Sequence, residues 1–183
     1  MKILFNKYRS VIRFMVTFLL VYICLSVAYK FYLDFSEVSK FYPDYFTNLV
    51  AQQTQLLLGD LGYNAQVSPH PDEPSMKLIV NGKFLARIIE GCNGISVIIL
   101  FVSFIIAFSG KLKTTFLYVF AGSVLLYVVN VLRIAILTMG IYHYPKQETF
   151  LHTVVFPGII YGMVFLLWVF WVNRFSNLKK END

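Results

Sequence analysis

The sequence predicts an all-α integral membrane protein with about four transmembrane helices, both termini in the cytoplasm, and a small outer segment holding an interfacial helix and a β-hairpin. Three observations lead there. Of 183 residues, 57% are hydrophobic, 17% aromatic and only 14% charged, too little polar surface to cover a water-soluble domain. Four apolar runs, at about 13–29, 91–110, 114–137 and 151–173, approach the roughly 20 helical residues that cross a hydrocarbon layer of about 30 Å. Charge is asymmetric: the N-terminus, the link at 110–113 and the C-terminal tail carry nine basic residues against two acidic, and the remainder carries seven against eight. Lys and Arg in short loops mark the cytoplasmic side, which places both termini there. The formal charge of +6 therefore reports topology, and nothing in it asks for nucleic acid.

The first run follows Lys2, Lys7, Arg9 and Arg13. A basic start and the small-residue triplet Ser26-Val27-Ala28 also fit a cleaved signal peptide, but the apolar run continues into Phe31, Tyr32 and Leu33, which favours a retained anchor. The outer segment, 30–90, then begins with Phe46, Leu49, Val50, Leu56 and Leu57 at the spacing of one helix face, with Gln52, Gln53 and Gln55 between them. This helix is expected to lie on the membrane surface. Two glycines and three prolines make 59–74 a loop. In "MKLIVNGKFLARII", two apolar runs flank Asn81-Gly82, the signature of a hairpin with a type I′ turn. No repeat, low-complexity tract or linker marks a second domain, so 1–183 reads as one membrane-embedded unit.

The hairpin leads into "EGCNGISVIILFVSFIIAFSG", which sets Glu90, Cys92 and Asn93 at the entry of an apolar run. Cys24 lies midway along the first run, where a thiol behaves as a small hydrophobe. It lies too far in depth from Cys92 for a disulfide. Counting 18 residues back from Gly110 puts Cys92 about 27 Å from the cytoplasmic surface. Arg133 comes out at about 29 Å from a start at Thr114, and His152 at about 32 Å from an end at Asn173. Three reactive side chains on three helices share one depth, just inside the outer surface.

Each also has a plainer reading. Arg133 in "YVVNVLRIAILTMG" costs a few kcal/mol in lipid unless it is paired or snorkels to the head groups, but Asn130, one turn earlier on the same face, suits an inward-facing polar site. His152 heads a helix, a position that taken alone needs no function. His70 and His143 read as solvated loop residues.

A cysteine, a histidine and an arginine at an aqueous boundary suit acyl transfer. The thiolate attacks an amide carbonyl, the histidine shuttles protons to the leaving amine, and the arginine stabilises oxyanion and thiolate. A free thiol, with its pKa of about 8.5, needs a nearby cation or a helix N-terminus to ionise at neutral pH. Asn93 and Gly94 put backbone N–H groups at the start of a helix, and Gly91 and Gly94 would let a substrate chain approach closely. Glu90 either orients His152, neutralises Arg133, or is a plain exposed carboxylate.

"EGCNGI", "NVLRIAILT" and "HTVVFPGIIYG", in this order on consecutive helices, are similar to the three signature segments of the exosortase/archaeosortase family. The resemblance covers roughly 88–165. It implies Cys92 as nucleophile, Arg133 as oxyanion or thiolate stabiliser and His152 as general acid/base; Glu90, Asn93, Gly94 and Asn130 are the supporting or substrate-binding candidates from the reading of the residues themselves. Many members have more membrane helices; a chain of four resembles the compact branch called exosortase F. The implied partners are the lipid bilayer and an exported protein with a C-terminal sorting tail: a short motif, a membrane helix and a basic end. The expected activity is a sortase-like cysteine peptidase or transpeptidase at the outer face of the cytoplasmic membrane, working through a thioester. No cofactor is implied. The histidines lack metal-ligand spacing, and no nucleotide-binding glycine loop is present.

Two rivals come from other classes. A non-catalytic partner binding another membrane protein through the outer segment leaves the matched depth of Cys92, Arg133 and His152 unexplained. A small transporter would normally carry inverted repeats or polar residues near mid-membrane.

Overall fold

The computed structural model describes residues 8–36, 42–108 and 110–175. Lys2, Lys7, Lys179 and Lys180, on which the topology reading partly rests, lie outside the described residues. The elements run α1 (Arg9–Ser36), α2 (Tyr45–Asp60), β1 (Ala65–Pro69), β2 (Met76–Val80), β3 (Lys83–Ile88), a 3₁₀ turn (Glu90–Cys92), α3 (Ile95–Ala107), α4 (Leu112–His143) and α5 (Pro145–Arg174).

Among the described residues, three helices are long and apolar enough to cross a membrane: α1, α4 and α5. The run at 91–110, expected to be a fourth, is helical only from Ile95 to Ala107. Its 13 residues rise about 20 Å, short of a hydrocarbon layer of about 30 Å. Backbone geometry causes the shortening. Gly94 is left-handed at φ 82°, which a right-handed helix cannot continue through, and Phe108 is already extended at ψ 108°.

Two apolar cores share α4. One joins α3, α4 and α5 through Phe101, Ile105, Leu126, Ile160, Val164 and Trp171. Gly122 permits this closeness, because a Cβ there would stand 2.4 Å from the Phe101 ring. From α1, Phe14 packs against Phe104 and Phe108 of α3 at centroid distances of 5.6 and 4.3 Å. The second core seats the outer segment on the C-terminal part of α4, with Val50, Ala51 and Leu58 of α2 and Leu78, Val80 and Ile88 of the sheet against Val131, Ile134 and Ala135. At 32 residues, α4 is about 48 Å long, so it has length both to cross a bilayer and to carry this outer layer.

The outer helix forms where its periodicity predicts. Asp44 caps it, the carboxylate Oδ1 accepting from the N–H groups of Phe46 and Thr47 at 3.0 Å each. Its buried stripe is Thr47, Val50, Ala51, Thr54 and Leu58, while Leu56 of the expected apolar face is exposed. This stripe packs on the sheet and α4, a protein partner that the membrane-surface expectation did not include. The Asn81-Gly82 hairpin is present, with φ of 50° and 77° at the two turn residues and Val80 opposite Lys83. The stretch 59–74, read as loop throughout, instead supplies β1, which pairs antiparallel with β2 from Ala65↔Val80 to Pro69↔Met76. Pro69 at the end of an outer strand forfeits little of the ladder.

Candidate active site

Cys92 closes the 3₁₀ turn that joins β3 to α3, at the seam between the two cores. Its side chain is half-buried against the outer core, and both Cys92 and Cys24 are free thiols. The peptide between Cys92 and Asn93 is held at both polar atoms. Asn130 of α4 donates Nδ2 to the Cys92 carbonyl at 2.8 Å, and the Asn93 N–H donates to the Glu90 carbonyl at 3.3 Å.

Asn93 itself is fully buried. Its Nδ2 donates to the Tyr29 hydroxyl of α1 at 2.7 Å and to Thr47 Oγ1 of α2 at 3.1 Å, and its Oδ1 accepts the Ile95 N–H at 2.9 Å. The side chain thus ties three elements together at the start of α3. Gly94, expected to admit a substrate chain, is occupied from within: the nearest atoms to a Cβ would be Asn130 Cγ and Nδ2, at 3.0 and 3.1 Å. Only glycine combines that contact with its positive φ.

Arg133, one turn along α4 from Asn130, is half-buried and pairs with no carboxylate among the described residues. The groups that act electrostatically on it are the Cys92 thiol and the Tyr161 hydroxyl of α5. Asn130, proposed from the sequence as a holder of Arg133, directs its amide to Cys92 instead, and its buried Oδ1 has no partner among the described residues.

His152 is exposed and stands in a wide π turn, Leu151–Val155, at the entry to the long apolar part of α5. Pro157 accounts for the distortion: it lacks an N–H for the Thr153 carbonyl, and its ring crowds that carbonyl. The turn leans on α4, where a Cβ at Gly140 would stand 3.0 Å from Leu151 Cδ1. No hydrogen bond or ion pair among the described residues joins His152 to Cys92 or Arg133. Glu90 is likewise exposed and among the described residues pairs with neither; an ion pair there joins Arg87 to Glu73. His143 is no loop residue but ends α4, sharing a 2.9 Å hydrogen bond with the Tyr63 hydroxyl. His70 accepts the Asp72 N–H at Nδ1.

Sequence reasoning missed Tyr29, Thr47 and Tyr161. Tyr161 lies inside "HTVVFPGIIYG" without a role assigned, and Tyr29 and Thr47 are 64 and 46 residues from Asn93, beyond the reach of any local pattern.

Fold and site together define a multi-pass membrane protein in which a cysteine at the mouth of a short helix is tied through its carbonyl to Asn130, one turn from a half-buried arginine on α4. The family model for transmembrane exosortases matches residues 6–171, and the chain belongs to that family. It is a group of membrane cysteine peptidases and transpeptidases involved in protein sorting. No curated protein and no solved structure matches the chain significantly.

Proposed function

We propose that this protein is a cysteine peptidase or transpeptidase of the compact exosortase F type that cleaves C-terminal sorting signals of exported proteins at the outer face of the cytoplasmic membrane. The observation that carries the reading is the 2.8 Å bond from Asn130 to the Cys92 carbonyl, which sets the thiol's residue against the helix that carries Arg133 one turn further on. A cation beside a thiol favours the thiolate, and the thiolate is the nucleophile.

In the proposed reaction the Cys92 sulfur attacks the scissile carbonyl carbon, and Arg133 stabilises the oxyanion. His152 gives a proton to the leaving amine as the C–N bond breaks and a thioester forms. Water or an acceptor nucleophile, deprotonated by His152, then attacks the thioester and releases the Cys92 sulfur. Closure of the substrate between α4 and α5 would bring His152 to the reacting atoms, since catalytic hydrogen bonds commonly tighten only in the complex. Glu90, exposed two residues before Cys92, contacts the substrate chain in this reading.

We count α3 as a short fourth crossing, because Lys111 and Lys113 follow it and the basic link belongs on the cytoplasmic side. The packing of Phe14 on Phe104 and Phe108 supports retention of the first helix. The test is the processing of an exported protein bearing a short motif, a membrane helix and a basic tail. Cys92→Ala should abolish cleavage while the protein stays at its normal level in the membrane; unchanged cleavage would leave the non-catalytic partner reading.

A further inference from the structure

The signature segments supply Cys92, but they do not supply what holds it. Gly91 and Gly94 flank the Cys92–Asn93 pair, and a Cβ at Gly91 would meet nothing nearer than the Ile89 side chain at 3.8 Å. A turn bracketed by two glycines has little intrinsic stiffness, since glycine has the widest backbone freedom. Its position must come from contacts made elsewhere in the chain.

Those contacts converge on Asn93. Thr47 and Tyr29 both accept from its amide Nδ2, and α3 is joined to its Oδ1 through the Ile95 N–H. Both acceptors are themselves anchored. Thr47 is fully buried in the first turn of α2, with its own N–H held by the Asp44 cap. Tyr29 is half-buried and stacks on Tyr32 at 5.9 Å between ring centroids.

We propose that Thr47 and Tyr29, on two elements outside the signature segments, are positioning residues for Cys92, acting through the side chain of Asn93. The inference rests on the reading of Cys92 as nucleophile. It gives the first helix and the outer helix a share in the reaction: they fix the turn that carries the thiol. When either hydroxyl is lost, the turn gains freedom and the thiol is held less well for activation by Arg133, the cation that the proposed function assigns to it.

The experiment uses the full chain in membranes, in a Cys24→Ala background, and follows the rate of Cys92 alkylation by a maleimide between neutral and alkaline pH. Thr47→Val keeps the shape of the side chain and removes the hydroxyl; Tyr29→Phe does the same for the ring. Each is expected to label about tenfold more slowly at neutral pH, within the range of losses that small misplacements of reacting groups cause. The deficit should close as pH rises well past the ordinary thiol value of about 8.5, where ionisation no longer needs Arg133. Thr47→Ser should restore the parental rate. Thr54→Val, which removes a buried hydroxyl bonded to the Val50 carbonyl on the same helix, should leave the rate unchanged.

Parental rates in Thr47→Val and Tyr29→Phe would overturn the proposal, as would a deficit that persists undiminished at alkaline pH, which points to changed access. If Thr47→Val fails to accumulate, Tyr29→Phe decides by the same criterion. Processing in Cys92→Ala separates the two levels. If it survives, the reading of Cys92 as nucleophile fails; if it is lost while both hydroxyl variants label normally, only the positioning role fails.

Discussion

The side-chain amide of Asn130 and the backbone carbonyl of Cys92 meet at 2.8 Å, across the seam between α4 and the turn that opens α3. This bond fixes the helix that carries Arg133 against the residue that carries the thiol. Replacing Asn130 by alanine leaves a part-buried carbonyl without its donor, at a cost of about 1–3 kcal/mol. The variant should melt at a lower temperature in detergent and label more slowly at Cys92 than the parent. Unchanged values of both would mean that the bond does not organise the site.

Gly94→Ala probes the same seam from the other side. The added methyl carries a left-handed φ of 82° and stands 3.0 Å from Asn130 Cγ, so strain of about 1–3 kcal/mol is expected. Thermal melting should report the loss, and Gly62→Ala, strained at φ 88° but with nothing within 4 Å of its Cβ, should cost less.

The fold and site differ in how much the sequence reveals. The apolar runs were legible because each residue's transfer free energy is local information, and the hairpin because Asn81-Gly82 adopts the positive φ that the turn demands. The outer helix showed its periodicity, although which residues it buried depended on where the sheet and α4 lay. β1 was hidden because its alternation is only two apolar residues long, Ala65 and Val67, and ends on a proline, so the segment is a strand only when β2 offers it an edge. The shortness of α3 was hidden because hydropathy is blind to the left-handed backbone at Gly94. In the site, helical rise led to the expectation of one depth for Cys92, Arg133 and His152, whereas the ties from Asn93 to Tyr29 and Thr47 are long-range pairings that one sequence cannot display.

The membrane core has its own test at Gly122. A Cβ there would lie 2.4 Å from Phe101 Cζ, and overpacking of this kind costs about 1–3 kcal/mol. Gly122→Ala should lower the melting temperature, and Phe101→Leu in the same chain should recover part of the loss. A double-mutant cycle with no coupling between the two positions would contradict the contact.

His152 should separate two steps. It shares no hydrogen bond with Cys92 among the described residues, so His152→Gln should leave maleimide labelling at the parental rate. Processing should fall by at least about a hundredfold, the size of a general acid–base contribution. A large fall in labelling would instead make His152 a partner of the resting thiol.

The central claim is that Cys92 is an outward-facing nucleophile activated by Arg133. It is tested most directly by labelling intact cells or spheroplasts with a membrane-impermeant thiol reagent across a range of pH, in a Cys24→Ala background, with and without Arg133→Ala. The account predicts rapid labelling from outside at neutral pH, a marked slowing when Arg133 is removed, and convergence of the two at alkaline pH. Labelling only after permeabilisation would invert the topology, and equal rates with and without Arg133 at neutral pH would contradict the activated thiol.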